Sequence, residues 1–196
     1  MRLACIGFAF SLFAAPFTAN ADRLPKQAID TAEKPEIVIS KRGFDSKPLP
    51  FYGIAPDVYF LYANIAEVDD KNRGFNGNAG FVVTSAGVVV IDSLGSPLLG
   101  RRLIATVRKV TNKPIKYLIL THNHPDHSYG AVAFRYLPGI KIIGHAGTLD
   151  YLNSENLPAS VAFRRNILGA DMKGFKGVKP DILVGGETYS HFDFTL

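Results

Sequence analysis

Residues 121 to 127 read Thr-His-Asn-His-Pro-Asp-His, placing three of the chain's five histidines and one carboxylate within six residues, directly after the apolar run Ile115 to Leu120. Neutral imidazoles and a carboxylate are ligands for zinc first, and for manganese or iron second. The spacing explains how they could meet. His122 and His124 lie two apart at the mouth of an extended segment, so both rings face one side and Asn123 faces the other. Pro125 ends the strand. Asp126 and His127 then open the next segment and can turn a carboxylate and a third imidazole toward the same point. A solvated loop or a helix N-cap at Asp126 or Ser128 is the plainer alternative, but capping needs a single Asp or Ser and leaves three histidines without a reason. Ser128 can cap a helix alongside metal binding.

The elements around this loop follow from apolar periodicity. Val58 to Ala63 is predicted to be a strand, and Asp69 to Gly77 a polar, glycine-bearing loop. Gly80 to Thr84 and Val88 to Asp92 are β-branched strands joined at Ser85-Ala86-Gly87 as a hairpin. Ser96 and Pro97 suit the N-cap and first turn of a helix whose Leu99, Leu103, Val107 and Val110 share one face. Ile115 to Leu120 is apolar on both faces, as a buried central strand requires, and delivers the histidines at its C-terminal end. A short helix from Ser128 to about Tyr136, a strand at Ile140 to Ile143 and a helix near Thr148 to Asn153 complete an α/β pattern with layers around a sheet.

Composition sets the context. The chain has 196 residues, 47% of them hydrophobic, which is enough for one globular domain. Residues 1 to 21 read as a signal peptide: Met1-Arg2 supplies the positive start, Leu3 to Ala15 the apolar stretch, and Ala19-Asn20-Ala21 the cleavage site. The apolar stretch is shorter than the roughly 20 residues a membrane span needs. Cys5 lies within the signal near its start, which argues against a lipoprotein, and cleavage before Asp22 leaves no cysteine. The mature protein is therefore expected in the periplasm or secreted, without disulfides, its metal site built from His, Asp and water. Residues 22 to 50, with Pro25, Pro35, Pro48 and Pro50, read as an extended arm leading into a domain over 51 to 196. The net charge of +5 falls to +4 when Arg2 leaves. The basic residues, Arg101, Arg102, Lys109, Lys116, Arg164, Arg165, Lys173, Lys176 and Lys179, are scattered and read as solvated faces rather than an anion-binding surface. Export and scattered charge argue against a nucleic-acid partner. Of the other histidines, His145 reads as a loop residue that could support the site from outside the ligand set. His191 falls on the outer face of an alternating run, Ser190 to Leu196, whose Phe192, Phe194 and Leu196 face inward.

With these residues in place, the chain resembles the metallo-β-lactamase superfamily, through Asp92 ending a Val-Val-Val-Ile-Asp strand and through His122-x-His124-x-Asp126-His127. The resemblance runs from about Ala55 onward. Within it, Asn78 to Tyr129 looks most like exported members identified as quinoprotein relay system zinc metallohydrolases. The resemblance implies an αββα sandwich with one or two zinc ions between its halves, His122 and His124 on the first metal, Asp126 and His127 on the second. It also implies that Asp92 steadies the histidine loop from behind, in keeping with the outer support that metal ligands need; a solvated strand-end Asp is the alternative. The implied chemistry is hydrolysis of a C–N, C–O or thioester bond in a small-molecule substrate: the metal lowers the pKa of a bound water to about 7, and Asp126 orients the resulting hydroxide and accepts its proton. His124, where the diiron electron-transfer branch usually has Glu, argues against that branch. The family's later ligands, a third His, a bridging Asp and a final His, are not found here, so only the N-terminal part of the sandwich is expected, with little activity of its own. The rival expectation is a non-catalytic exported protein that binds zinc or a periplasmic dehydrogenase partner.

Overall fold

The computed structural model describes residues 47–185. The signal peptide at 1–21, Cys5, most of the arm at 22–50, and the closing run with His191 lie outside the described residues. What is described is one seven-stranded mixed sheet in the order β1 to β7 along the chain. Its strands are β1 (Tyr52–Ala55), β2 (Val58–Leu61), β3 (Ala79–Val83), β4 (Val88–Ile91), β5 (Ile115–Ile119), β6 (Lys141–His145) and β7 (Ile182–Val184). Strands β1 to β4 pair antiparallel, and β4 to β7 pair parallel. The parallel half needs crossovers, and helices supply them. Helix α1 (Pro97–Val110) joins β4 to β5, α2 (Pro125–Ser128) and α3 (Ala131–Phe134) join β5 to β6, and α4 (Gly147–Leu152) and α5 (Asn156–Leu168) join β6 to β7.

Register explains the core. Phe81, Val90, Leu118 and Ile142 are successive cross-strand partners on β3 to β6, and all four are fully buried. Leu99, Leu103 and Val107 of α1 and Phe134 of α3 belong to the same cluster. Each such side chain contributes about 1.5–3 kcal/mol by leaving water. Helix α1 forms as its sequence dictates: Ser96 Oγ accepts from the Leu99 amide at 3.2 Å, Pro97 opens the first turn, and Arg108 and Lys109 stand in the last turn against the helix dipole. The hairpin at Ser85-Ala86-Gly87 closes as expected, with the Thr84 hydroxyl donating to Gly87 O at 2.8 Å.

Three expectations need correction. The helix expected from Ser128 to Tyr136 begins at Pro125 and is interrupted at Gly130. An unbroken helix would pair the Gly130 amide with Asp126 O; here that amide donates instead to Leu94 O at 2.8 Å, so a tertiary bond overrides the helical ladder. Nor does Ser128 cap a helix: its hydroxyl donates to His124 O at 2.9 Å, inside the first turn. Lastly, Arg102 and Arg164, read as solvated, are 8% and 5% exposed. Helix α5, the 3-10 turn Gly169–Met172 and β7 carry no expectation from sequence. The buried stripe of α5 is Val161, Arg164 and Leu168, and a cation in its middle hides the helical period.

Strand β7 is held by Asp181 at its entry. The carboxylate accepts from Arg135 Nη1 at 2.7 and 2.8 Å and from the Ile142 amide at 2.7 Å. Burial acts most strongly on its pKa and pushes it up, but the Ile142 amide and the Arg135 guanidinium outweigh that and hold it below the usual 3.8. A depressed folded-state pKa stabilises the fold above the unfolded value and loses that contribution as pH falls through the folded one. Asp181→Asn is therefore expected to cost roughly 1 kcal/mol at pH 7, a modest figure because the pair is partly solvated. Urea unfolding at pH 7 and again near pH 2.5 checks this: the difference between the two proteins shrinks in acid, and an undiminished difference counts against the charge-based account.

Candidate metal centre

Asp92 and the histidine loop meet because β4 and β5 are adjacent and parallel, so both chains leave the sheet at the same edge. Ile91 and Ile119 are register partners, and the Asp92 amide donates to Ile119 O at 2.8 Å. Beyond that point Asp92 adopts φ +60° and Leu94 φ +67°, a left-handed conformation that costs non-glycine residues about 1–3 kcal/mol each. The turn drives the Asp92 side chain inward, where it is 4% exposed. The alternative of a solvated strand-end Asp is thereby excluded by its burial.

Both oxygens of Asp92 are engaged. Oδ1 accepts from the Thr121 amide at 2.8 Å and from the Thr121 hydroxyl at 3.0 Å, and Oδ2 lies 2.8 Å from His127 Nδ1. The Thr121 hydroxyl is in turn 2.9 Å from His122 Nδ1. A carboxylate only accepts, so His127 Nδ1 carries the proton of that bond. Because the Thr121 hydroxyl gives its one proton to Asp92, His122 Nδ1 must donate to it. One carboxylate thus holds both rings from behind through Nδ1, directly in His127 and through Thr121 in His122, which leaves Nε2 as the atom through which each ring, when neutral, would bind a metal.

The rings of His122 and His124 are centred 4.7 Å apart, and those of His122 and His127 4.2 Å apart. Burial, followed by the neighbouring His127 and His124, pushes the His122 pKa down, which keeps that ring neutral. The Asp92 hydrogen bond, working against burial, pushes the His127 pKa up. His124 caps α2 in extended conformation, exposed, with Pro125 in the first helical position; Pro125 starts a helix and does not end the strand, which closes at Ile119, so the histidines stand on a loop beyond it. Asp126 stands in that first turn with Oδ2 3.4 Å from His127 Nε2. Two ligands at tetrahedral angles on one zinc, each at about 2.0–2.1 Å, are separated by about 3.3 Å, so this pair already stands at the edge length of a zinc site.

Two further observations bear on whether the group fits zinc. A Cβ added to Gly77 would stand 2.8 Å from Asp126 Oδ2 and 3.0 Å from His127 Nε2, so only glycine leaves the space beside these donors open. Donor chemistry and the His127 and Asp126 pair fit zinc. The expected convergence of all four donors at zinc distances is not found: among the described residues no group of three or more His, Cys, Asp or Glu side chains is placed to hold a metal ion. The physical reason is local. His124 lies on the solvent side of the helix start, and Asp126 turns to the His127 ring rather than to a point shared by the other two rings. His145, at the end of β6, uses its Nδ1 to accept from the Gly147 amide at 3.0 Å, a turn role.

Thr121 and Gly77 were not identifiable as site residues from sequence. Thr121 could have been found as the one hydroxyl between the strand and the histidines. Gly77 had no local signal, since its role comes from a contact 49 positions along the chain.

Comparison with known proteins agrees with this arrangement. The chain is 42% identical over 48 residues, 24% of its length, to a linear primary-alkylsulfatase of Pseudomonas sp., of which it covers 9%. It is 29% identical over 88 residues, 45% of its length, to metallo-β-lactamase IND-1 of Chryseobacterium indologenes, of which it covers 36%. In fold it is similar to the stereoselective inverting sec-alkylsulfatase Pisa1 of Pseudomonas sp., with a TM-score of 0.50 and 20% identity over 70% of this chain and 25% of that one. The chain thus spans well under half the length of these relatives. The family model of the metallo-β-lactamase superfamily matches residues 72–186, more than half of the chain and inclusive of Asp92 and the whole histidine loop, so the chain belongs to that superfamily.

Proposed function

We propose that this chain is the metal-loop part of an exported, zinc-dependent hydrolase with one or two zinc ions, His122 and His124 serving the first and Asp126 and His127 the second. The observation that carries the reading is the anchoring of His127 directly, and of His122 through Thr121, to the single carboxylate of Asp92, with Asp126 Oδ2 3.4 Å from the free nitrogen of His127. Zinc there supplies Lewis-acid polarisation of the scissile bond and a nucleophile at neutral pH. Asp92 holds the His127 ring through Nδ1, the Thr121 hydroxyl holds the His122 ring, and Asp126 would orient the attacking water and take its proton on the carboxylate oxygen not engaged by the metal. The substrate class is a small molecule with a hydrolysable C–N, C–O or thioester bond; among the relatives, the alkylsulfatases and the β-lactamase name two concrete candidates, sulfate esters and β-lactams. The stretch Asn78 to Tyr129 supports kinship with the quinoprotein relay system zinc metallohydrolases, and the leader supports a periplasmic or secreted location, with neither nucleic acid nor membrane as partner after cleavage.

A second reading is supported by the absence, among the described residues, of a closed group of three ligands: a non-catalytic periplasmic protein that binds zinc or a dehydrogenase partner. The two readings part on turnover.

Two outcomes are expected. Replacing Asp92 with Asn exchanges one of its two acceptor oxygens for a donor that faces the N–H of His127 or Thr121, and zinc affinity, measured by competition with a chromophoric chelator, should fall about 10–100-fold. An affinity within twofold of the parent would show that Asp92 does not support the site. Assayed with added zinc against an alkyl sulfate, a β-lactam and an acyl thioester, this chain by itself should bind zinc but turn over little of any of them, since an incompletely held metal positions its hydroxide poorly. Robust zinc-dependent turnover abolished by His122→Ala would contradict that expectation and exclude the second reading.

A further inference from the structure

Arg164 is a buried cation on α5 that the hydrolytic chemistry does not use. It is 5% exposed, and among the described residues it forms no salt bridge. Burial lowers its pKa, against the pull of Asp126, Tyr129, Tyr151 and Glu67. An interior guanidinium without a carboxylate partner is costly, so its retention calls for a structural return. That return is visible in what it touches. Nη1 donates to Gly95 O at 3.2 Å, and the guanidinium lies 5.7 Å from the centre of the Tyr129 ring, within cation–π range. A Cβ on Gly95 would stand 2.6 Å from Nη1 and 2.3 Å from Gly74 O, and a Cβ on Gly74 would stand 3.4 Å from Nη1. Two glycines from separate loops therefore leave the slot in which the guanidinium lies, and a side chain on Gly95 would close it.

Those loops are the ones behind the histidines. Gly95 lies three residues past Asp92, in a segment stapled to the histidine loop by the Ser93 amide donating to His127 O at 2.7 Å and the Gly130 amide donating to Leu94 O at 2.8 Å. Gly74 lies three residues before Gly77, which packs on Asp126 and His127. Helix α5 stays joined to the Gly74 loop without Arg164, because Arg73 donates to Leu168 O at 2.6 Å and pairs with Asp171 at 2.7 Å. Among the described residues, the hydrogen bond that ties α5 to the Asp92 segment is that of Arg164 to Gly95 O.

We propose that Arg164 is a positioning residue: by bonding Gly95 O within the Gly74 and Gly95 slot, it clamps the Asp92 segment to α5 and so holds the Asp92 carboxylate against Thr121 and His127. The clamp acts with or without metal.

Amide hydrogen exchange of the full metal-free chain, followed by NMR, tests this with Arg164→Met, Arg164→Lys and, as a packing control one turn earlier on the same helix, Val161→Ala. The amides read are Ser93, Thr121 and Gly130, each bonded across the Asp92 segment, against Val90 and Leu118 in the sheet. Arg164→Met should speed exchange at the first three by about tenfold or more relative to the sheet, while Val161→Ala leaves that ratio unchanged. Arg164→Lys, which can still reach one carbonyl, should restore part of the protection. If Arg164→Met does not fold, Arg164→Lys decides by itself, through a selective increase of about threefold or more at the same three amides. Uniform acceleration across both sets, or none, would overturn the proposal.

Discussion

The arrangement depends on one buried carboxylate. Asp92 is the point at which the sheet, the loop before α1 and the histidine loop are tied together, and each of its bonds has a different consequence. The bond to the Thr121 amide at 2.8 Å fixes where the chain leaves β5. The bond to His127 at 2.8 Å fixes a ring, and the Thr121 hydroxyl extends the same control to His122. A metal ligand supported in this way loses little freedom on binding, which is why outer hydrogen bonds raise affinity.

This placement carries a conformational cost. Asp92 and Leu94 both hold positive φ, and both are buried. Strain of this kind persists only where surroundings over-determine the backbone. Here they do: the Ser93 amide donates to His127 O, Leu94 O accepts from the Gly130 amide, Leu94 is fully buried in the main cluster, and Arg164 holds Gly95 from behind. Fold and site are therefore one problem, since the residues that strain the turn are the ones that aim the carboxylate.

Much of this was legible in sequence, and the division has a physical basis. The histidine loop announces itself because its donors are neighbours in the chain; Asp92 is singled out by the resemblance to the superfamily, as the last residue of Val-Val-Val-Ile-Asp. The main sheet, α1 and the hairpin follow local periodicity and caps. What sequence could not give depends on distant contacts. Gly130 breaks a helix by bonding to Leu94, Gly77 matters only for what it packs against, and Arg164 reads as a surface charge until two glycine-bearing loops close around it. Helix α5 escaped for the same reason, its inner stripe being interrupted by a cation. Residue types and spacing name four donors, His122, His124, Asp126 and His127; that the fold pairs Asp126 with His127 and leaves His124 toward solvent is set by contacts no local pattern encodes.

The most direct test of the central claim, that the loop held by Asp92 is a zinc centre, is anomalous diffraction at the zinc absorption edge from crystals of the full chain grown with zinc. The account predicts a peak between His127 Nε2 and Asp126 Oδ2, at about 2.0–2.2 Å from each, with the Asp92 to His127 bond intact. An empty map at that position, or zinc held only by residues other than His122, His124, Asp126 and His127, would contradict it.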